Sequence, residues 1–353
     1  MDNGITIQSH KGPYRVVFGA PFAGLEKGLQ KNEHLLIDAK VAELYKEILG
    51  PALQGASVLK IAATEKNKSL ERIPDYVTFL SEHGVKRGHT LIAVGGGIIQ
   101  DTAAFIAAVL FRGISWRFYP TTLLAQADSC IGSKSSINVG QYKNQVGTFT
   151  PPQDIHLSTE VLETLEEADF RSGIGEILKV HLIAGWEDFR PLAADYDGLK
   201  KDKTRLMTAI RRSLEIKKAI IEKDEFDLKE RLILNYGHSF GHAIESATQY
   251  GVPHGLAITI GMDMANFVSW RLGLIDEKVF AEIHPVLRKN YRGFESSKIP
   301  EDSFFSALSK DKKNVENDLS LVLMRGPGNI FRDRYPNDEK FRSICQEYFK
   351  NIL

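Results

Sequence analysis

Apolar positions in the first half of the chain fall in short runs separated by stretches with helical spacing. LLID (35–38) predicts a strand, and AELYKEIL after it has the period of a helix. VLKIAA (58–63) predicts the next strand. SLERIPDYVTFLSEHG returns to the helical period, with Gly84 as its C-terminal stop. TLIAVGGG (90–97) is apolar up to its glycines, as a buried strand is. DTAAFIAAVLFRG then predicts an apolar helix, and ISWRFYPTT a further strand ending at Pro120. This alternation predicts an α/β fold with a doubly wound, mostly parallel sheet.

Beyond Glu160 the strand signals fade. DFRSGIGEILKVHLIAG, RLMTAIRRSLEIKKAIIEKDEFD and GLAITIGMDMANFVSWRLG all have helical spacing. The change falls at 155–165, after the loop GTFTPPQD, and predicts an α/β domain over 1–160 and a helical domain over 161–353. A length of 353 residues suits two domains. No internal repeat or low-complexity tract interrupts the pattern.

Composition narrows the partners. The 45 basic and 45 acidic residues cancel, so no net field draws the chain to nucleic acid or to an anionic membrane. No apolar run approaches the length of a membrane span, and MDNGITIQSHKGPY is too polar for a secretory signal. Cys130 and Cys345 give no disulfide framework, and a reducing cytoplasm is the expected setting.

Chemistry concentrates in three places. In RLILNYGHSFGHAIES (231–246), His238 and His242 stand four apart on one predicted helix face, and His254 follows in VPHG. Histidines so grouped point to a divalent metal. Glu176 in GIGEILK is the carboxylate that completes a two-histidine, one-glutamate set with an open position, as catalytic zinc uses. The competing reading pairs Glu176 with Lys179 as an ordinary i,i+3 ion pair. The second place is Gly95–Gly97, between strand and helix, with Asp101 just inside the helix: a cradle for a dinucleotide or another phosphate ligand, or a plain tight turn. Asp38, at the end of an earlier strand, suits a ribose hydroxyl or a helix cap. The third is the segment 120–144, where Asp128, Lys134, Asn138, Lys143 and Asn144 lie among small residues, as in a loop that binds a phosphorylated ligand.

GGGIIQD, FRG, PTTLLAQADS, the Lys134-to-Lys143 interval, GEILK, LNYGHSFGHAIE and PHG, in that order and spacing, resemble the sugar-phosphate cyclase superfamily and most closely its 3-dehydroquinate synthase family. The resemblance runs from Asp38 to the DKK at 311–313. It implies a Rossmann-like NAD-binding domain, a helical metal- and substrate-binding domain, and a homodimer. It implies a phosphate-eliminating carbon–oxygen lyase that turns 3-deoxy-D-arabino-heptulosonate 7-phosphate into 3-dehydroquinate. The route is transient oxidation by NAD, loss of phosphate, re-reduction and intramolecular aldol closure, with Zn²⁺ or Co²⁺ as the metal.

Residue by residue, the resemblance assigns the metal to Glu176, His238 and His254, and so moves His242 from ligand to proton-handling group beside the substrate, with Asp227 and Lys179 also catalytic. It places Arg112, Asp128, Lys134, Lys217, Arg231, Asn235 and one of Lys312 or Lys313 around the substrate. It places Asp38, Glu65, Lys68, Gly97, Asp101, Thr121, Thr122, Lys143 and Thr164 around NAD. Arg112, Lys134, Lys179, Lys217 and Arg231 exceed what one phosphate needs, which implies a carboxylate on the same substrate.

The chain departs from the usual family pattern at several positions. Gln100 replaces a glycine, Lys40 an asparagine, and Asp227 a glutamate. GSKSSIN, with Ser133, Ser135 and Ser136, stands for GGKTGVN, and KER precedes LIL in place of GLR. These departures keep a paralogous cyclase acting on another sugar phosphate as an alternative. A metal- and NAD-dependent polyol dehydrogenase is a second, although a neutral polyol has no use for the cationic set. A non-catalytic binding protein would not need all three metal positions and both loop lysines.

Overall fold

Seven strands form the sheet of the first unit. The structure, a computed structural model, describes residues 4–294, 299–310, 314 and 318–353. Backbone contacts divide the chain into one unit of residues 1–165 and 217–226 and a second of 166–216 and 227–353. The strands of the first unit are β1 (Gly4–Ile7), β2 (Tyr14–Phe18), β3 (Glu33–Asp38), β4 (Val58–Ile61), β5 (Thr90–Gly95), β6 (Ser115–Pro120), a small antiparallel pair β7 (Ile137–Val139) and β8 (Tyr142–Val146), and β9 (Asp154–Leu157). The large sheet runs β1-β2-β9-β6-β5-β3-β4, parallel throughout except for the β1–β2 hairpin. Its central strands are buried, Leu35, Leu36, Ile37 and Leu91 to Val94 being fully enclosed.

The chain leaves β3 for β4 on one side and returns to lay β5 on the other. The strand order therefore reverses between the C-terminal ends of β3 and β5, and ligands of open α/β sheets collect at such a point. Asp38 ends β3 and the glycine loop ends β5, so the fold brings two of the predicted site features together here. Four helices belong to this alternation: α1 (Ala39–Leu44), α2 (Lys46–Leu53), α3 (Ile73–Glu82) and α4 (Gly97–Val109). The helix expected through AELYKEIL is broken at Tyr45 into α1 and α2. Gly84, with φ at +74°, follows the end of α3 as its spacing predicted.

The second unit is mainly helical, with α5 (Glu167–Ala184), α6 (Trp186–Ala194), α7 (Tyr196–Leu199), α8 (Lys203–Ile221), α9 (His238–Ala247), α10 (His254–Arg271), α11 (Glu277–Tyr291), α12 (Glu301–Ser309) and α13 (Glu339–Asn351). Helix α8 starts in this unit and its last residues belong to the first, so a single boundary near residue 160 does not describe the backbone division. The strand signal also does not end where the periodicity implies. β10 (Asp318–Met324) and β11 (Ile330–Pro336) form an antiparallel hairpin in the second unit. DLSLVLM is an almost continuous apolar run, whose period alone does not separate strand from buried helix.

Helix α10 is the centre of this unit and is buried along nearly its whole length. Its neighbours approach it backbone to backbone. A Cβ on Gly255 would stand 2.0 Å from the Ser172 carbonyl oxygen of α5, and one on Gly261 would stand 2.2 Å from the Gly237 carbonyl oxygen and 2.6 Å from the Gly241 nitrogen of α9. Within α10, the fully buried Asp263 accepts hydrogen bonds from Tyr291 (2.8 Å), Tyr348 (2.9 Å) and His284 Nδ1 (2.9 Å), tying α11 and α13 to the centre. Asp263→Ala leaves three donors without their acceptor and is expected to cost about 3–5 kcal/mol, read as a lowered urea midpoint of the helical unit.

Candidate active site

Three helices of the second unit deliver one cluster. Glu176 comes from α5, His238 from the start of α9 and His254 from the start of α10, and one ligand atom of each lies within 4.8 Å of the others. Each stands next to a glycine: Gly175, Gly237 and Gly255. Gly237 holds φ at +79°, and a Cβ on Gly175 would lie 2.4 Å from the Gly255 carbonyl oxygen.

The ring hydrogen bonds suit a metal. His254 Nδ1 is 3.2 Å from Glu245 Oε1 and His238 Nδ1 is 3.3 Å from the Tyr236 carbonyl oxygen. A proton on each Nδ1 leaves the lone pair on Nε2, the arrangement that metal-binding histidines adopt. His254 Nε2 lies 3.6 Å from Glu176 Oε1. Burial works to lower the His254 pKa, but the carboxylates of Glu245 and Glu176 outweigh it and hold the ring above the ordinary histidine range. Glu245 was not singled out in the sequence. Its place three residues after His242 and seven after His238 on the same helix is the signal that would have found it.

Glu176 also ion-pairs with Lys179, and both are almost fully buried. The i,i+3 pair is thus present, but in the interior and not on the surface. His242 is exposed, with its ring centroid 5.3 Å from that of His238 and 6.0 Å from that of His254. His242, Glu245 and His254 form a second group with metal-ligand spacing, sharing His254 with the first. Arg231 is buried in the short helix Glu230–Asn235, and Asn235 donates to the Leu232 carbonyl at 3.1 Å. Asp227, with φ at +60°, precedes that helix. Lys312 and Lys313 lie outside the described residues.

In the first unit, Gly96 caps α4 and Gly97 begins it, with open space where a Gly97 side chain would stand. Gly95 and Gly96 are needed for packing: a Cβ there would meet Ile99 at 2.5 Å and Thr122 at 2.8 Å. The Thr121 amide donates to the Gly95 carbonyl at 2.9 Å. Asp38 accepts from the Lys40 amide at 3.0 Å, so it caps α1, and burial raises its pKa. Lys68 donates to Asp101 (3.1 Å) and Asn144 (3.0 Å), while Asp101 also accepts from the Ser136 amide and hydroxyl, both at 3.0 Å. Glu65 accepts from Asn138 at 2.7 Å and lies 3.9 Å from Lys143. Thr164 and Tyr45 share a 3.0 Å hydrogen bond.

The polar segment 120–144 contains a π-helical turn at Ala125–Ser129, held by buried Gln126, whose amide donates to the Pro120 and Ser158 carbonyls. Asp128 on this turn pairs with Lys217 at 2.5 Å. Lys134 is exposed beside Ser133, which has φ at +65° and donates to Glu225 at 2.6 Å. Arg112 is exposed, with φ at +67°.

Known proteins share this architecture. A 2-deoxy-scyllo-inosose synthase solved with carbaglucose-6-phosphate, NAD⁺ and Co²⁺ superposes with a TM-score of 0.84 at 25% identity, covering 98% of this chain and 99% of that one. The 2-epi-5-epi-valiolone synthase of Streptomyces hygroscopicus subsp. jinggangensis, solved with NAD⁺ and Zn²⁺, gives 0.81 at 25% identity over 94% and 96% of the two chains. The shared architecture is that of the sugar-phosphate cyclases. A 3-dehydroquinate synthase of Alkaliphilus metalliredigens is 35% identical over 88% of this chain and 87% of its own. The N-terminal and C-terminal family models of 3-dehydroquinate synthase match residues 58–172 and 173–314, and the chain belongs to that family.

The two overlapping groups of candidate ligands predict different outcomes. His238→Ala is expected to lose bound Zn²⁺ and His242→Ala to retain it, as measured by metal analysis after dialysis; the reverse pattern would favour the group built on His242 and Glu245, and equal loss would make both histidines of the helix face ligands. Because the raised pKa of His254 means the metal-free ring is protonated at a higher pH than an ordinary histidine, Zn²⁺ affinity is expected to fall as pH drops through and just above that range. Calorimetric Zn²⁺ titrations at several pH values check this, and Glu245→Gln is expected to shift the onset to lower pH.

Proposed function

We infer that the chain catalyses the 3-dehydroquinate synthase reaction, converting 3-deoxy-D-arabino-heptulosonate 7-phosphate to 3-dehydroquinate and inorganic phosphate. The observation that carries this reading is the match to 3-dehydroquinate synthases along most of the chain. The enzyme is an NAD- and metal-dependent lyase. When bound, NAD supplies a reversible hydride acceptor, and the divalent metal, Zn²⁺ or Co²⁺, polarises a substrate oxygen.

The chain's own residues do the rest in this reading. Glu176, His238 and His254 hold the metal; the Nδ1 partners of both rings support it. Lys179, fixed by Glu176, presents an ammonium beside them. Arg231, buried and planar, suits the substrate carboxylate, with Asn235 near it in the chain. Arg112, Lys134 and Lys217, with either Lys312 or Lys313, supply positive charge for the phosphate, and Asp128 orients Lys217. His242 handles protons from an exposed position, with Asp227 as its counterpart. For the cofactor, the α4 N-terminus at Gly97 faces open space that a pyrophosphate would take, and Asp38 suits a ribose hydroxyl. Glu65, Lys68, Asp101, Thr121, Thr122, Lys143 and Thr164 complete that side. A reducing cytoplasm and a homodimer are part of the same reading. Among the described residues no helix is long and apolar enough to cross a membrane.

The test is turnover of the Zn²⁺-loaded protein with NAD. The acid phosphate is expected to release one phosphate per molecule without accumulation of NADH, since the hydride leaves and returns within one turnover. Phosphate release from a carboxylate-free sugar phosphate but not from the acid would favour a paralogous cyclase. One NADH per substrate would favour a dehydrogenase.

A further inference from the structure

Gln100 lies on α4, is buried, and makes a reciprocal pair of hydrogen bonds with one residue. Its Nε2 donates to the Ser129 carbonyl oxygen at 2.6 Å, and its Oε1 accepts from the Ser129 hydroxyl at 2.6 Å. Ser129 closes the π-helical turn, in which the Cys130 amide reaches back five residues to the Ala125 carbonyl at 3.0 Å. Such turns disturb the regular ladder of helical hydrogen bonds, so their carbonyls depend on other donors. The preceding carbonyl, that of Asp128, is taken by Lys217 Nζ at 2.6 Å, and the same ammonium pairs with the Asp128 carboxylate.

Two successive carbonyls are therefore each held by a buried side chain, one from α4 and one from the end of α8. With both fixed, the peptide plane between residues 128 and 129 has little freedom to turn, and the direction of the Asp128 side chain is set with it. We propose that Gln100 is a positioning residue: it acts through Ser129 to aim Asp128, and through Asp128 the Lys217 ammonium, at the substrate. The inference rests on the proposed role of Asp128 and Lys217 in substrate binding.

The test is a double-mutant cycle. Gln100→Met keeps the length of the side chain and fills its space but removes both hydrogen bonds. It is expected to lower kcat/KM for the acid phosphate on the order of tenfold, while the dissociation constant for NAD stays within about twofold. If Gln100 acts through Asp128, Gln100→Met adds little to the loss already caused by Asp128→Asn. A wild-type kcat/KM in Gln100→Met, with or without a lower melting temperature, overturns the proposal. So does a weakened NAD affinity that accounts for the whole loss, or a double variant that loses the product of the two single effects. Ser129→Ala, which removes only the hydroxyl bond, is read by the same criteria if Gln100→Met does not fold. If Asp128→Asn itself keeps wild-type kcat/KM, the assignment of Asp128 fails and this inference with it. If Asp128→Asn is impaired and Gln100→Met is not, only this inference fails.

Discussion

The helical unit depends on how closely α5 and α9 approach the backbone of α10. At Gly175, Gly237, Gly241, Gly255 and Gly261 an added Cβ would come within 3.0 Å of backbone on the facing helix. Side chains elsewhere keep helix axes 8–10 Å apart; glycine removes that spacer. Glu176, His238 and His254 each flank one of these contacts, so the packing that closes the core also sets the separation of the three candidate ligands. A cluster built this way tolerates little adjustment, because moving one ligand means moving a helix.

The charged residues follow a second rule. The chain carries no net charge, yet it buries Lys68, Glu176, Lys179 and Lys217. Each has an opposite charge close by: Lys68 with Asp101, Lys179 with Glu176, Lys217 with Asp128. Buried pairs of this kind add little to stability relative to apolar packing, and breaking one is costly. Burial raises the Asp101 pKa despite the Lys68 and Ser136 contacts, which is the electrostatic cost of holding that carboxylate inside.

Much of the first unit was legible because its strands are strongly apolar and its helices periodic. LLID, VLKIAA, TLIAVGGG and ISWRFYPTT all fall on strands of the parallel sheet. The later hairpins were not, since β7 is only three residues long, β8 is mostly polar and β10 lacks a sustained period-two alternation. HxxxH correctly placed two histidines on one helix face, but the period says nothing about which ring meets Glu176, which lies 62 residues before His238 and 78 before His254. The choice of His254 over His242 beside Glu176 took the family motif, and Glu245 took the fold. Gln100 and Ser133 stood out in the sequence only as departures; their partners, Ser129 and Glu225, became visible only in three dimensions.

The return of residues 217–226 to the first unit has a consequence for how the chain is made. Asp128 meets its partner Lys217 across 89 residues and Ser133 meets Glu225 across 92. On a ribosome the whole parallel sheet is synthesised before these partners exist, and the segment 120–144 must wait while α5 to α8 emerge. Contacts of such long sequence range form late and slowly. The loop that carries Asp128 is thus the last part of the α/β unit to be completed, and its assembly is tied to synthesis of residues 166–216 of the helical unit.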